Sequence, residues 1–237
     1  FSGDDDMDVN IKDLTIELHK AFAYINRDLF DNELIESAIT IQSKGNRKNV
    51  LGWCSSAKVW INETEVDKYE INMVAEYLDL GYDAVMTTLI HEMIHLYHLQ
   101  NSIKDTSRNG TYHNKNFKAK AEEVGFEIKY DNKIGWSWCI LTEPLKKKIN
   151  SYDINKTVFS VSRYAPDVHF QKIRKKMQEE GVSEDEVKEI IENEQNKTKK
   201  KAGYYKYKCP ECGVTIRATK MVNIRCEDCD EIFEIEK

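Results

Sequence analysis

His91-Glu92-Met93-Ile94-His95 sets two imidazoles and a carboxylate at a spacing that one helix can turn toward a single metal ion. At about 100° per residue, positions four apart return to nearly the same azimuth, so His91 and His95 share a face. Glu92 stands roughly a quarter-turn away, near enough to take a proton from water beside the ion and far enough to leave the two ligands uncrowded. Two ligands and a base in this order imply metal-assisted hydrolysis.

The element that must carry them is a helix over Asp83 to Gln100, with Asp83 as its expected N-cap and no Gly or Pro inside. Val85, Met86, Leu89, Met93 and Leu96 fall opposite the histidines and form the expected core face. A hydrolytic zinc takes three protein ligands and keeps one position open. His98 is a poor third ligand, because it lies about 10 Å along the axis from His91; it is read as a supporting or cleft residue. Asn101 to Tyr112 has the composition of a loop, and Asn114 to Val124 reads as a second helix, with Phe117, Ala121 and Val124 at core spacing before a stop at Gly125. The loop lets that helix fold back and bring His113 to the motif pair, where a helix N-terminus favours the neutral imidazole a metal needs. Glu122 or Glu123 is the alternative third ligand, against the plainer reading of a solvated helix face. The metzincin pattern is excluded, since His98 and Asn101 stand where its Gly and His belong.

The stretch Thr88-Leu89-Ile90-His91-Glu92-Met93-Ile94-His95-Leu96-Tyr97 resembles the core of the SprT-like, Spartan-related zinc metalloproteases. So do Tyr112-His113-Asn114-Lys115-Asn116-Phe117, Gly52-Trp53-Cys54 and the strand Tyr69-Glu70-Ile71-Asn72. The resemblance covers roughly residues 10 to 140 and implies a zincin-like fold with His91, His95 and His113 on zinc and Glu92 as general base. It also implies an endopeptidase acting on proteins bound or crosslinked to DNA. Asn114 departs from the Gly usual in Spartan-type members, but the ligand is the residue before it. Tyr97, Tyr112 and His98 are candidates by proximity for stabilising the oxyanion.

A second constellation lies near the C-terminus, where Cys209-Pro210-Glu211-Cys212 and Cys226-Glu227-Asp228-Cys229 are separated by thirteen residues. Four thiolates at this spacing suit a closed, tetrahedral structural zinc. Tyr205 and Tyr207 alternate with Lys206 and Lys208, and Val214 and Ile216 with Thr215 and Arg217, as strands of a zinc ribbon should. Two disulfides are the competing reading, but the acidic start has no apolar leader segment, which favours a cytoplasmic protein, nucleoid-associated in a bacterium. Cys54 and Cys139 are isolated and read as neutral thiols.

The net charge of −6 argues against a protein that coats nucleic acid with its whole surface. From Lys197 to Arg225, however, nine Lys and Arg face only Glu211. Lys206, Lys208, Arg217, Lys220 and Arg225, beside Tyr204 and Tyr205, are the expected contacts to single-stranded DNA or a DNA–protein complex; a solvated polar face is the plainer alternative. There is no apolar run long enough for a membrane span.

The expected organisation is α+β. Residues 1–6 read as a tag remnant, and residues 7–145 as the metalloprotease domain: an amphipathic helix from Asn10 to Phe30, strands at Ala38–Gln42, Val50–Ser55 and Tyr69–Val74, then the two ligand-bearing helices. Residues 146–202 form a helical linker whose two helices meet at Gly181, with Ser183 and Glu186 as a capping box, and residues 203–237 form the ribbon. Three functions fit: a protease for DNA-bound proteins, a site-specific protease cleaving one repressor or partner, and a nucleic-acid-binding adaptor without activity. The intact Glu92 argues against the last, since a purely structural metal site needs no base.

Overall fold

The computed structural model describes residues 10–47, 50–63, 65–198 and 204–236; the expected tag remnant lies outside them. The chain divides into two compact units, residues 1–165 and 166–237.

The first unit opens with α1 (Ile11–Leu29), capped by the Asn10 side chain, which accepts from the backbone of Asp13. Its apolar stripe buries Leu14, Leu18, Ala21, Phe22 and Ile25, each large aliphatic or aromatic side chain stabilising the fold by about 1.5–3 kcal/mol. Strands β1 (Ala38–Gln42), β2 (Gly52–Cys54) and β5 (Glu70–Val74) form one sheet in the order β1-β5-β2, while β3 (Trp60–Asn62) and β4 (Glu65–Lys68) make a separate hairpin. β1 runs parallel to β5, pairing Ile39 with Ile71; β2 runs antiparallel on the other side of β5, pairing Gly52 with Met73, and is one of the sheet's two edge strands.

Helix α2 (Tyr82–Gln100) crosses this sheet with Val85, Met86, Leu89, Met93 and Leu96 buried, the core face the sequence predicts. It starts one residue early and is not capped by Asp83: Gly81 occupies the N-cap with no side-chain bond. The reason is packing. Tyr82 is buried and its hydroxyl donates to the carbonyl of Ile149, while Asp83 accepts from Asn150 and pairs with Lys146. After β6 (Thr106–Ser107) and β7 (Tyr112–His113) comes α3 (Lys115–Glu123), whose N-cap Asn114 accepts from the backbones of Asn116 and Phe117. A second sheet, β6-β7-β9-β8, includes the long hairpin of β8 (Phe126–Asp131) and β9 (Gly135–Leu141).

The first unit continues past residue 145 through α4 (Glu143–Asn150) to residue 165. Leu145, Ile149, Tyr152, Ile154, Val158 and Phe159 fill its core, and the Asn155 backbone donates to Glu17.

The second unit holds α5 (Pro166–Glu179) and α6 (Glu184–Thr198), separated by Gly181 at φ 78°. Ser183 and Glu186 exchange hydrogen bonds at the start of α6 as a capping box. Strands β10 (Tyr205–Lys208), β11 (Thr215–Ala218), β12 (Arg225–Cys226), β13 (Glu231–Ile232) and β14 (Glu234–Ile235) follow. They enclose a small core of Tyr207, Cys209, Cys226 and Phe233. Among the described residues, no helix is long and apolar enough to cross a membrane.

Candidate metal centres

His91 and His95 leave α2 on one face, and β7 delivers His113 to it. The three Nε2 atoms form a near-equilateral triangle: His91 to His113 is 3.1 Å, His91 to His95 3.2 Å and His95 to His113 3.2 Å. The ring of Phe117 packs against all three, with centroids 4.6, 4.9 and 4.5 Å away. Each Nδ1 has a partner of its own. That of His95 lies 2.6 Å from Asp105 Oδ2, that of His113 3.3 Å from the Ile134 carbonyl, and that of His91 3.4 Å from Cys139 Sγ.

The Asp105 carboxylate and the Ile134 carbonyl only accept, so the neutral rings of His95 and His113 carry their proton on Nδ1 and a lone pair on Nε2; the Cys139 thiol can accept from His91 in the same way. Three lone pairs facing one another at this range repel unless a cation lies between them. Tetrahedral zinc with bonds of 2.0–2.1 Å sets its nitrogens about 3.3 Å apart, so the donor set fits zinc. Burial, with the neighbouring His95 and His113 charges adding to it, holds His91 well below 6.5. Burial, with His95 next, lowers His113 to about 4. Both are therefore neutral near pH 7, as metal ligation requires. His95 behaves oppositely: burial lowers it, but the Asp105 hydrogen bond and the Glu92 charge outweigh this and raise it.

Glu92 is 5% exposed and next to His91 in sequence. Burial raises its carboxyl to about 7, against the pull of His95 and of the Cys54 backbone N–H. Edge strand β2 passes so close that a Cβ on Gly52 would meet Thr88 Cγ2 and the Asn72 carbonyl at 2.9 Å and Glu92 Cγ at 3.2 Å. Only glycine lets the strand lie against α2 at this point.

Of the other expected participants, Glu122 and Glu123 are exposed and pair with Lys118 and Lys120, leaving His113 as the third donor. His98 is buried and turned to Asp105. Tyr97 packs against the core, and the Tyr112 hydroxyl bonds Tyr130, so among the described residues none of the three oxyanion candidates bonds directly to the histidine triad. Sequence reasoning missed Asp105, taken for loop composition, and Cys139, taken for an isolated thiol. An acid in the segment joining two ligand-bearing elements was the available signal for Asp105. Nothing marked Cys139, because β8 and β9 were not anticipated. The expectation of neutral thiols does agree with burial, which pushes Cys139 up to about 12 and Cys54 well above 9.0.

In the second unit, Cys209, Cys212, Cys226 and Cys229 gather their Sγ atoms within 4.8 Å of one another, and Cys212 and Cys226 are 3.7 Å apart. Tetrahedral zinc–thiolate bonds of 2.3 Å put sulfurs about 3.8 Å apart. This group too is consistent with zinc. Lys206, Lys208 and Arg217 lie on the outer face of β10 and β11, with Lys220 and Arg225 also exposed. Lys206 pairs with Glu236 and Arg225 with Asp230. Over residues 204–236, five basic side chains face seven acidic ones, a net −2.

The three histidines, on an α+β scaffold with a buried carboxylate beside them, form a group that could hold a metal ion. The family model of SprT-like proteins matches residues 18–134, and this part of the chain belongs to the SprT-like family. No curated protein and no solved structure matches the chain.

Proposed function

We propose that the chain is a zinc-dependent endopeptidase with a zincin-like catalytic domain, acting on proteins bound or crosslinked to DNA, with the ribbon as its recruiting module. The observation that carries the protease reading is the juxtaposition of Glu92 with the converging Nε2 atoms of His91, His95 and His113. Those three nitrogens would hold the catalytic zinc, and the four cysteines a structural one. When bound, the catalytic ion supplies Lewis acidity that polarises the scissile carbonyl and acidifies water.

The chain's own part in the reaction falls to Glu92. Its carboxylate takes a proton as water adds to the carbonyl carbon, and gives it to the amine nitrogen as the C–N bond breaks. Phe117 holds the imidazoles from one side, and β2 keeps the Glu92 carboxylate from swinging away.

The substrate class rests on the family resemblance and on the cations of the ribbon. A site-specific protease docking one protein partner is the second reading. It is favoured by the ribbon's net negative charge and by an open cleft of about 220 Å³ of mixed polar and apolar lining, with Tyr207, Met221, Asn223, Ile232 and Phe233 among its walls. Cleavage of several unrelated DNA-binding proteins, with and without single-stranded DNA, separates the two. The first reading expects DNA to accelerate cleavage of all of them and Lys208→Glu/Arg217→Glu to remove the acceleration. Cleavage of one protein only, indifferent to DNA, contradicts it.

A further inference from the structure

We infer that Asp105 is the positioning residue of the three-histidine centre, joining the two elements that bring its ligands, with His98 holding the carboxylate from the far side. The inference rests on the zinc-site reading above.

One oxygen does most of the work. Asp105 Oδ2 lies 2.6 Å from Nδ1 of His95 and 3.2 Å from Nδ1 of His98. The two histidines are three residues apart on α2, so one carboxylate can face both rings. Asp105 is 7% exposed and His98 3%, so water competes little for these bonds. A carboxylate that accepts the Nδ1 proton fixes the tautomer and the ring orientation and makes the opposite nitrogen a stronger donor to a metal.

The backbone of the same residue reaches the other ligand-bearing element. The Asp105 carbonyl accepts the N–H of Asn114, the residue after His113, at 2.8 Å. Thr106, next in sequence, pairs with His113 across β6 and β7. Just before it, the Lys104 carbonyl accepts from the side chains of Asn114 and Asn116 at 2.8 Å each. Residues 104–106 thus grip the start of α3 through the main chain and α2 through a single side chain. His113 and His91 have weaker partners at Nδ1, a carbonyl at 3.3 Å and a thiol at 3.4 Å. Of the three Nδ1 contacts, the one to Asp105 is the shortest and the only one to a charged acceptor, so the metal site should depend on it most.

The test is zinc competition against a chromophoric chelator with the full chain, comparing wild type, Asp105→Ala, Asp105→Asn and His98→Gln. Wild type should release zinc in two classes, one from the cysteines and one from the histidines. Asp105→Ala should weaken the histidine class by about 10–100-fold and leave the cysteine class unchanged. Asp105→Asn has nearly the same volume and keeps an acceptor for the His95 N–H, so it should recover part of the loss and guards against a merely misfolded alanine variant. His98→Gln should cost only a few-fold. In zinc-loaded, 15N-histidine-labelled protein, the His95 Nδ1 proton should appear downfield and exchange slowly in wild type, and should exchange fast in Asp105→Ala. Wild-type zinc affinity in Asp105→Ala, or an unchanged His95 proton, overturns the positioning role while leaving the zinc site standing. If wild type binds zinc at the cysteines alone, the zinc-site reading fails and this inference with it.

Discussion

Gly135 lies directly against the backbone of His113: a Cβ built on it would come within 2.1 Å of the His113 carbonyl oxygen and 3.0 Å of its nitrogen. The two residues are partners across β7 and β9, and Gly135 has φ +72°, a conformation open to glycine. Gly135→Ala therefore meets both a strained backbone and a collision that can be relieved only by moving the third ligand. We expect a loss of about 2–4 kcal/mol in urea unfolding, together with zinc loss from the histidine centre but not from the cysteines. Retained stability and zinc would contradict this account of β9.

Phe117 presses on all three imidazoles and is fully buried. Phe117→Ala should cost about 3–5 kcal/mol and lower zinc affinity as the rings gain freedom, whereas Phe117→Leu should retain most of both. Calorimetric unfolding with zinc titration measures the pair. Equal zinc affinity in wild type and Phe117→Ala would show that the ring only fills space.

Glu76 is buried at 1% exposure. Burial alone would raise its carboxyl, but the Ser43 hydroxyl, the Lys44 backbone N–H and the Arg163 guanidinium hold it below its ordinary 4.5. A carboxyl depressed on folding stabilises the fold above its unfolded pKa, and that contribution is lost as pH falls through the folded value. Its stabilisation should thus be whole near neutrality and drain away below 4.5. Glu76→Gln should flatten the acid limb of a stability–pH profile and cost about 1–3 kcal/mol at pH 7. An acid limb as steep as in wild type would rule Glu76 out as its source.

Much of the first unit could be read from the sequence because its signals are local. The stripe of α1, the strand Ala38–Gln42, the core face of α2 and the helix after His113 each follow from neighbours a few residues apart. His113 was reachable from a loop followed by a helix, and the two C-x-x-C pairs from their spacing. What escaped depends on contacts far along the chain. Cys139 meets His91 only because β9 pairs with β7, and Gly135 matters only through His113. β8 alternates Phe126, Ile128 and Tyr130 with Glu127, Lys129 and Asp131, but β9 has no charged residue, exposes Trp138 and Ile140, and meets β8 with a register shift between Lys129 and Asp131, so the hairpin as a whole shows no clean polar face. Asp83 was misread as a cap because Tyr82 is pulled into the core by a carbonyl 67 residues away.

Among the described residues the ribbon buries only Tyr207, Cys209, Cys226 and Phe233, too little apolar surface to fold unaided. Cys226→Ser, or chelation strong enough to strip the cysteines, should abolish cross-strand contacts such as Tyr207 to Ile216 in NMR spectra. The core resonances of α1 should persist. Persistence of the ribbon contacts without metal would refute a structural zinc.

The central claim turns on Glu92. Purified wild type and Glu92→Gln, each with zinc quantified, should be compared for cleavage of a DNA-binding protein and of themselves. Both should carry zinc in equal amounts, and the glutamine variant should lose activity by at least about 100-fold. Equal cleavage by the two zinc-loaded proteins, or no cleavage by either, would contradict a protease that uses Glu92 as its base.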